Sequence, residues 1–154
     1  MEIQIRRATL ADAKAITEHC AAMAAETENL ALDRERLRLG VEAVLQDPFK
    51  GFYTVAEADG AVVGQMMVTL EWSDWRNGTF WWLQSVYVRP EYRRRSIYKR
   101  LYERVLEEAR ARKDICGLRL YVSQENASAQ QVYARLGMRK AHYDMFELDF
   151  VLGR

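Results

Sequence analysis

The chain has 154 residues, of which 49% are hydrophobic and 29% charged. This composition supports one domain with a buried core and excludes both wholesale disorder and a small disulfide-held fold. The net charge of +1 excludes a globally basic nucleic-acid binder. Near neutrality hides an asymmetry, because residues 1–75 hold 7 basic and 13 acidic side chains, whereas residues 76–154 hold 16 basic and 9 acidic. We expect this separation of charge to serve a function.

The sequence predicts neither a targeting segment nor a membrane span. Its N-terminus alternates in charge and lacks the apolar core of a signal peptide, and no apolar run is long enough to cross a bilayer. The two cysteines, Cys20 and Cys116, lack the spacing of metal ligands. We therefore expect a single domain over residues 1–154, cytoplasmic, with free thiols, no metal and no membrane partner.

The first half is predicted to begin with a strand over residues 2–7 and a helix that follows a capping box of Thr9 and Asp12. A second helix is capped by Asp33 and ends at Asp47-Pro48. Two strands, over 52–58 and 61–70, are joined by the turn Asp59-Gly60. The second half continues with a strand over 79–88, a helix from Ser96 onward, a strand over 118–122, a helix over 126–136 that Gly137 ends, and one or two closing strands within 139–152. The strand–helix–strand unit in the second half predicts two parallel strands with a right-handed crossover, within a mixed α/β sheet.

A strongly basic turn joins the strand over 79–88 to the next helix. Three consecutive arginines, Arg93 to Arg95, precede Ser96, where the helix begins. The first amides of a helix have no intrahelical partner, and the helix dipole adds partial positive charge there. The turn therefore suits a phosphate or pyrophosphate group. A solvated basic turn is the alternative that charge alone leaves open.

This stretch resembles motif A of the GNAT family of N-acetyltransferases, a (Q/R)-x-x-G-x-(G/A) turn that binds the pyrophosphate of acetyl-CoA through backbone amides. Arg93 matches the first position, whereas Ser96 and Tyr98 replace the two glycines. If the resemblance holds, Tyr98 must point away from the phosphates. The resemblance assigns the pyrophosphate cradle to Arg93, Arg94, Arg95, Ser96, Ile97 and Lys99.

A second segment resembles the other motif of that family, Asn-x-x-Ala-x-x-x-Tyr-x-x-x-Gly-Phe after a strand, with Met138 in place of the final Phe. Asn126 lies at a helix N-cap, and Ala129 and Tyr133 share a face because they are four residues apart. The resemblance implies that these three residues contact the cofactor and that the Tyr133 hydroxyl protonates the departing CoA thiolate. A phenol, with a pKa of about 10, is protonated at pH 7 and suits that role. A core aromatic is the alternative for Tyr133 taken alone.

The resemblance also implies the fold, a mostly antiparallel sheet with one parallel strand–helix–strand unit, flanked by four helices. In this family the fourth and fifth strands splay into a V, and the pantetheine arm of acetyl-CoA lies in the gap. Val86 and Val88 are therefore expected to contact the pantetheine and the thioester. A backbone N–H of this strand would polarise the thioester carbonyl.

The acceptor amine must lose a proton, because a free alkylamine has a pKa of about 10.4. The family often uses a Glu on the fourth strand as the base, but this sequence has Gln84 there. An amide can hold a water molecule but cannot accept the proton. The candidates for the base are Glu26, Glu28, Glu71, Asp74 and His142, and among them we choose Glu28.

The acceptor site is predicted from acidic and aromatic residues. Trp72, Asp74 and Trp75 lie in one loop and could bind an amine by cation–π contact. Together with Glu26, Glu28 and Gln84 they make up the expected acceptor site. Core packing or a subunit contact is the alternative for the tryptophans.

The favoured hypothesis is an acetyl-CoA-dependent N-acetyltransferase in which the amine attacks directly in a ternary complex. We expect a homodimer, with a small-molecule amine favoured over a protein as acceptor; a polyamine, an aminoglycoside, an amino acid and a protein amine all stay open. A CoA-binding or sensing module without catalysis is the alternative, favoured by Gln84, Ser96 and Tyr98. Nucleic acid is not an expected partner, because acidic side chains interleave the positive charge of the basic helix.

Overall fold

The computed structural model describes all 154 residues, which form two compact units, residues 1–120 and 121–154. The elements of the first unit are β1 (Ile3–Arg7), α1 (Ala13–Glu28), α2 (Arg34–Gln46), β2 (Phe52–Ala58), β3 (Ala61–Ser73), β4 (Gly78–Val88), α3 (Ile97–Arg110) and β5 (Ile115–Arg119). Single 3₁₀ turns, Leu10–Asp12 and Pro90–Tyr92, precede α1 and α3. The second unit contains α4 (Ala127–Arg135). None of the helices has the length and apolar character that a membrane span requires.

Side-chain caps explain where two of the helices begin. The Asp33 carboxylate accepts a hydrogen bond from the Arg36 amide at 3.0 Å and caps α2. The Asn126 side chain accepts from the Ala129 amide at 3.1 Å and caps α4. Both caps satisfy amides that have no partner inside the helix, as the sequence predicted.

The sheet has the strand order β1-β2-β3-β4-β5. The first three pairs are antiparallel and the β4–β5 pair is parallel. Pairing with β5 ends at Trp82 and Arg119, whereas β4 continues to Val88. The expected mixed sheet with one parallel unit and an opening between the fourth and fifth strands is therefore confirmed, and the chain contains four α-helices as expected.

Helices pack on both faces of this sheet. A Cβ built on Gly64 of β3 would lie 3.1 Å from a methyl carbon of Ile97, so this glycine lets the first turn of α3 approach closely. The next residue, Gln65, contacts α1 through His19. Because successive strand residues point to opposite faces, α3 lies on one face and α1 on the other. The core between α1, α2 and the sheet contains Ala13, Ile16, Cys20, Val41, Tyr53, Val55 and Val62.

One irregularity interrupts the pairing of β3 with β4. Gln65 is opposite Tyr87 and Met67 is opposite Gln84, so Met66 alone faces the two residues Ser85 and Val86. Ser85 has a φ of 47°, in the left-handed region. An extra residue of this kind is a β-bulge, which bends its strand and redirects the residues beyond it.

Arginines of α3 bind the outer edge of the sheet. Arg100 donates to the carbonyl of Ile3 at 2.7 Å, and Arg104 donates to the carbonyl of Ile5 at 3.1 Å. These carbonyls belong to edge strand β1 and have no strand partner on that side. Some of the positive charge of α3 therefore protects a sheet edge.

Two predictions of secondary structure were wrong. The strand expected over 118–122 lies earlier, at Ile115–Arg119, where it pairs with Thr79 to Trp82 of β4. Residues 139–152 form no strand, although their pattern alternates. A strand needs a partner for its backbone groups, and the second unit contains no other strand. The single-domain boundary at 1–154 stays a prediction.

Candidate active site

A cleft of about 620 Å³ lies between the end of β4, the start of α3 and the last turns of α1. The predicted site residues that line it are Glu26, Val86, Val88, Arg93, Arg94, Ser96, Ile97 and Lys99. The residues of β4 and of the turn and first residues of α3 that the sequence assigns to the cofactor site thus lie around one cleft of the first unit, together with Glu26 of the expected acceptor site.

The turn before α3 passes into the helix without a side-chain cap. Its first helical hydrogen bond runs from the Arg100 amide to the Ser96 carbonyl at 3.0 Å. The amides of Ile97 and Lys99 precede that bond, where helix geometry offers no intrahelical acceptor. The Ser96 side chain does not cap them, in contrast to the caps of α2 and α4. An uncapped helix N-terminus is a favourable site for an anion.

The conformation of the turn explains why glycine suits it. Arg94 and Ser96 have φ values of 64° and 61°, both left-handed. Glycine adopts this region without cost, whereas a residue with a Cβ does not. Ser96 therefore keeps the backbone conformation that the motif's glycine provides. Tyr98, at the second glycine position, is half-buried, and its hydroxyl oxygen is shielded from solvent.

The outer edge of β4 faces the cleft through alternate residues. The Arg89 amide donates to the Val63 carbonyl of β3 at 2.9 Å. Because successive residues of a regular strand present their backbone groups to opposite edges, Val88 directs its groups away from β3, and Val86, within the bulge, lines the same cleft. The pairing with β5 has ended at Trp82, so β5 does not bond these groups.

Arg93 ties the turn to its surroundings. Its Nε donates to the Val88 carbonyl at 2.8 Å, and its terminal nitrogen bonds the Glu26 carboxylate at 2.9 Å. The Tyr87 hydroxyl donates to the other oxygen of Glu26 at 2.9 Å. The Arg93 hydrogen bond, and after it that of Tyr87, lowers the pKa of Glu26. A carboxylate held in this way is a weak proton acceptor.

Other predicted acceptor residues lie away from the cleft. Trp72 and Trp75 are 63% and 85% exposed at the far end of the β3–β4 hairpin. That hairpin turn and Val88 are at opposite ends of β4, an 11-residue strand, roughly 30 Å apart. Asp74 in the same turn accepts from the Trp75 amide. The assignment of these residues to the acceptor site stays a prediction.

The remaining predicted residues of the first unit have these positions. Gln84, within β4, donates to the Thr69 hydroxyl of β3. Glu28 is the last residue of α1 and is exposed. Arg95 is exposed in the basic turn but does not line the cleft. Glu71 accepts hydrogen bonds from Trp82 and Arg119, and this ion pair weakens its candidacy as the base.

The second unit carries the other predicted motif. Asn126 caps α4, and Ala129 and Tyr133 lie one turn apart on that helix, as expected from their spacing. His142 stacks against Tyr143, with ring centroids 4.3 Å apart. The cofactor contacts assigned to Asn126, Ala129 and Tyr133 stay predictions.

Three residues at the cleft or behind it were missed by the sequence analysis. Tyr87 lines the cleft, and Gln65 and His19 hydrogen-bond to each other behind it. Burial lowers the pKa of His19, so its ring is neutral at pH 7. One signal existed for Gln65, which is the single polar residue in the apolar run from Val62 to Val68. A buried amide in such a run needs hydrogen-bond partners.

Comparisons with known proteins agree with this geometry. The sequence model of the acetyltransferase (GNAT) family matches residues 14–138. A crystal structure described as a possible acetyltransferase from Clostridium difficile 630 is 42% identical, with a TM-score of 0.91 over 98% of this chain and 99% of that one. No match was found among the curated proteins. The chain therefore belongs to the GNAT acetyltransferase family.

More distant structures share the fold. An aminoglycoside N-acetyltransferase, AAC(6')-Iy, solved in complex with CoA, is 19% identical with a TM-score of 0.74, over 97% of this chain and 95% of that one. Glucosamine-6-phosphate N-acetyltransferase from Arabidopsis thaliana is 18% identical with a TM-score of 0.73, over 96% of this chain and 99% of that one.

The left-handed conformation of Ser96 leads to a stability prediction. Ser96→Gly is expected to raise the free energy of unfolding by about 0.5–1 kcal/mol, because glycine adopts this φ without steric cost. Ser96→Ala keeps the Cβ and serves as the matched control, with no gain expected. Urea denaturation of the three proteins measures the difference, and equal values for Gly and Ala would show that the turn is not strained at this residue.

Proposed function

We propose that this protein is an acetyl-CoA-dependent N-acetyltransferase that transfers acetyl to a small primary amine by direct attack in a ternary complex. The observation that carries the proposal is the cleft in which the uncapped N-terminus of α3 meets the part of β4, at Val86 and Val88, that β5 does not pair. Backbone amides and basic side chains suit the pyrophosphate, and the strand edge suits the amide-containing pantetheine arm. Family membership supports the same chemistry.

Each step of the proposed acetyl transfer is assigned to residues of this chain. The amides of Ile97 and Lys99 and the side chains of Arg93, Arg94 and Lys99 bind the pyrophosphate, and a backbone N–H near Val86 polarises the thioester carbonyl. Tyr133 donates a proton to the departing thiolate. Glu28 at the end of α1 receives the proton of the amine, directly or through water.

Calorimetry with acetyl-CoA, followed by a thiol-release assay over a panel of amines, tests this function. The panel includes a polyamine, an aminoglycoside, amino acids and a peptide N-terminus, and acetyl-CoA binding with release on a small amine is expected. Binding without release on any amine would favour a CoA-binding module instead. The absence of binding would contradict both functions.

The acceptor class is also inferred from the neighbours. The aminoglycoside and glucosamine-6-phosphate acetyltransferases that share the fold are named for small amines or amino sugars. Release that is limited to a protein N-terminus or a lysine peptide would contradict a small-molecule acceptor.

Glu26 is predicted to compete with the pyrophosphate for Arg93. Glu26→Gln removes a carboxylate that lies in the cleft and is 2.9 Å from Arg93. Tighter binding of CoA is therefore expected, by up to about fivefold, since an exposed ion pair is weak and its loss has a small effect. Glu35→Gln, which breaks a similar pair with Arg38 outside the cleft, is the control. Weaker binding by Glu26→Gln would show instead that Glu26 supports the turn.

Tyr133→Phe tests the proposed acid. It removes only the hydroxyl, so kcat is expected to fall by about 10²-fold or more, whereas the affinity for acetyl-CoA stays within about threefold. Tyr143→Phe, an exposed tyrosine of the same unit, is the control with unchanged turnover. Equal turnover in Tyr133→Phe and the original protein would remove this residue as the acid.

We also propose a homodimer. Seven large apolar side chains in residues 143–152 are more than half exposed: Tyr143, Met145, Phe146, Leu148, Phe150, Val151 and Leu152. An apolar segment of this kind marks a protein contact, and a second copy offers the same segment for self-complementary pairing. Sedimentation is expected to give twice the 18.0 kDa chain mass and a monomer for Phe146→Ser with Phe150→Ser. A monomeric original protein would contradict the dimer.

A further inference from the structure

The bulge in β4 adopts a conformation that its own sequence does not favour. Ser85 has a φ of 47°, and a residue with a Cβ pays a steric cost there. Neither Ser85 nor Val86 is a glycine that would adopt this region freely. Contacts from outside the strand must therefore hold the bulge in place.

Gln65 of β3 makes such a contact. Its side chain is fully buried, and its amide nitrogen donates to the Ser85 carbonyl at 3.2 Å and to the Cys20 sulfur at 3.4 Å. Its amide oxygen lies 3.1 Å from Nδ1 of His19. A carbonyl can only accept, so the Ser85 oxygen fixes which end of the amide faces β4. Nδ1 of His19 must then carry the proton, and the ring and the amide orient each other.

Both partners on α1 are themselves fixed. His19 and Cys20 are buried, and the His19 ring stacks against Tyr87 with centroids 5.4 Å apart. The neutral state of His19 avoids a buried charge beside this amide. Arg89 lowers its pKa, whereas Glu18 and Glu91 raise it, so opposing charges surround the ring. The amide of Gln65 therefore links a rigid helix to the carbonyl of one bulge residue.

We propose that Gln65 is a positioning residue for acetyl transfer, one that holds the Ser85–Val86 bulge so that the edge of β4 presents its groups to the thioester. This inference rests on the proposed function. Val86 directly follows Ser85, whose carbonyl Gln65 binds, and both Val86 and Val88 line the cleft. The pyrophosphate turn precedes α3, and its Arg93 makes its hydrogen bonds to Val88 and Glu26, not to Gln65, His19 or Ser85. Loss of the hydrogen bond from Gln65 to the Ser85 carbonyl is therefore expected to affect the chemical step more than the binding of CoA.

Gln65→Met is the principal test, because methionine has a similar length and no amide to donate to Ser85. Relative to the original protein, we expect acetyl-CoA affinity within about threefold by calorimetry, but kcat at least tenfold lower with the amine that the panel identifies, since small displacements at a reacting centre have large effects on rate. Hydrogen exchange of amides 85–88 is expected to be faster. A general loss of stability would instead raise exchange throughout the sheet.

The control removes a buried polar group that makes no contact with the bulge. Thr54 of β2 is 1% exposed, and its hydroxyl has no hydrogen-bond partner. Thr54→Val is expected to leave kcat, acetyl-CoA affinity and the exchange of amides 85–88 unchanged. If Gln65→Met does not fold, His19→Phe loosens the same amide while keeping an aromatic ring against Tyr87, and the same split between kcat and affinity is expected.

A second substitution tests whether the effect passes through the bulge. Ser85→Gly in the Gln65→Met background supplies a residue that adopts the left-handed region freely, so most of the lost kcat is expected to return. A folded Gln65→Met with unchanged kcat, or a loss that Ser85→Gly does not restore, would overturn the positioning role and leave the proposed function intact. Failure of the original protein to bind acetyl-CoA would overturn the proposed function and this inference with it.

Discussion

Strand β4 has one residue more than β3 can pair, and the bulge that accommodates it sets the direction of the strand's last residues. Beyond the bulge, β4 keeps its bonds to β3 through Arg89 but has no strand on its other edge. The chain then passes through a 3₁₀ turn into α3, whose first amides are uncapped. A strand edge and a helix N-terminus are thus adjacent along 11 residues of chain, from Val86 to Ser96, and a single extended ligand can bind both.

The basic side chains that make the second half of the sequence positive have several different roles in the structure. Arg100 and Arg104 bind carbonyls of the edge strand, and Arg93 binds Val88 and Glu26, so these three positive charges are used within the protein. Arg94 and Arg95 are exposed in the turn and make no ion pair. The turn therefore has more positive than negative side chains, as a site for an anionic ligand requires. On the surface of α3, by contrast, acidic residues of the same helix neutralise much of the positive charge.

Most of the fold followed from local patterns, because caps, hairpin turns and apolar periodicity act over a few residues. Asp33, Asn126 and the turn at Asp59-Gly60 determined their elements in this way. The bulge could not be predicted, because Ser85 makes its contact with Gln65, 20 residues away in sequence, and no local pattern marks that contact. The prediction of closing strands within residues 139–152 was wrong for a related reason. An alternating pattern indicates strand propensity but does not supply a partner strand.

The structure also distinguishes Glu26 from Glu28, two carboxylates that the sequence offers equally as candidates for the base. Glu26 and Glu28 are two residues apart near the end of α1, and helical geometry points such neighbours in different directions. Glu26 faces the cleft and is held by Arg93 and Tyr87, which favour its charged form and make it a poor base. The proposed function therefore assigns the proton of the amine to another carboxylate, directly or along water. Glu28 is exposed at the last position of the same helix, less than one helical turn beyond Glu26. In the proposed function, a proton that leaves the cleft at this end of α1 therefore has a short path to Glu28.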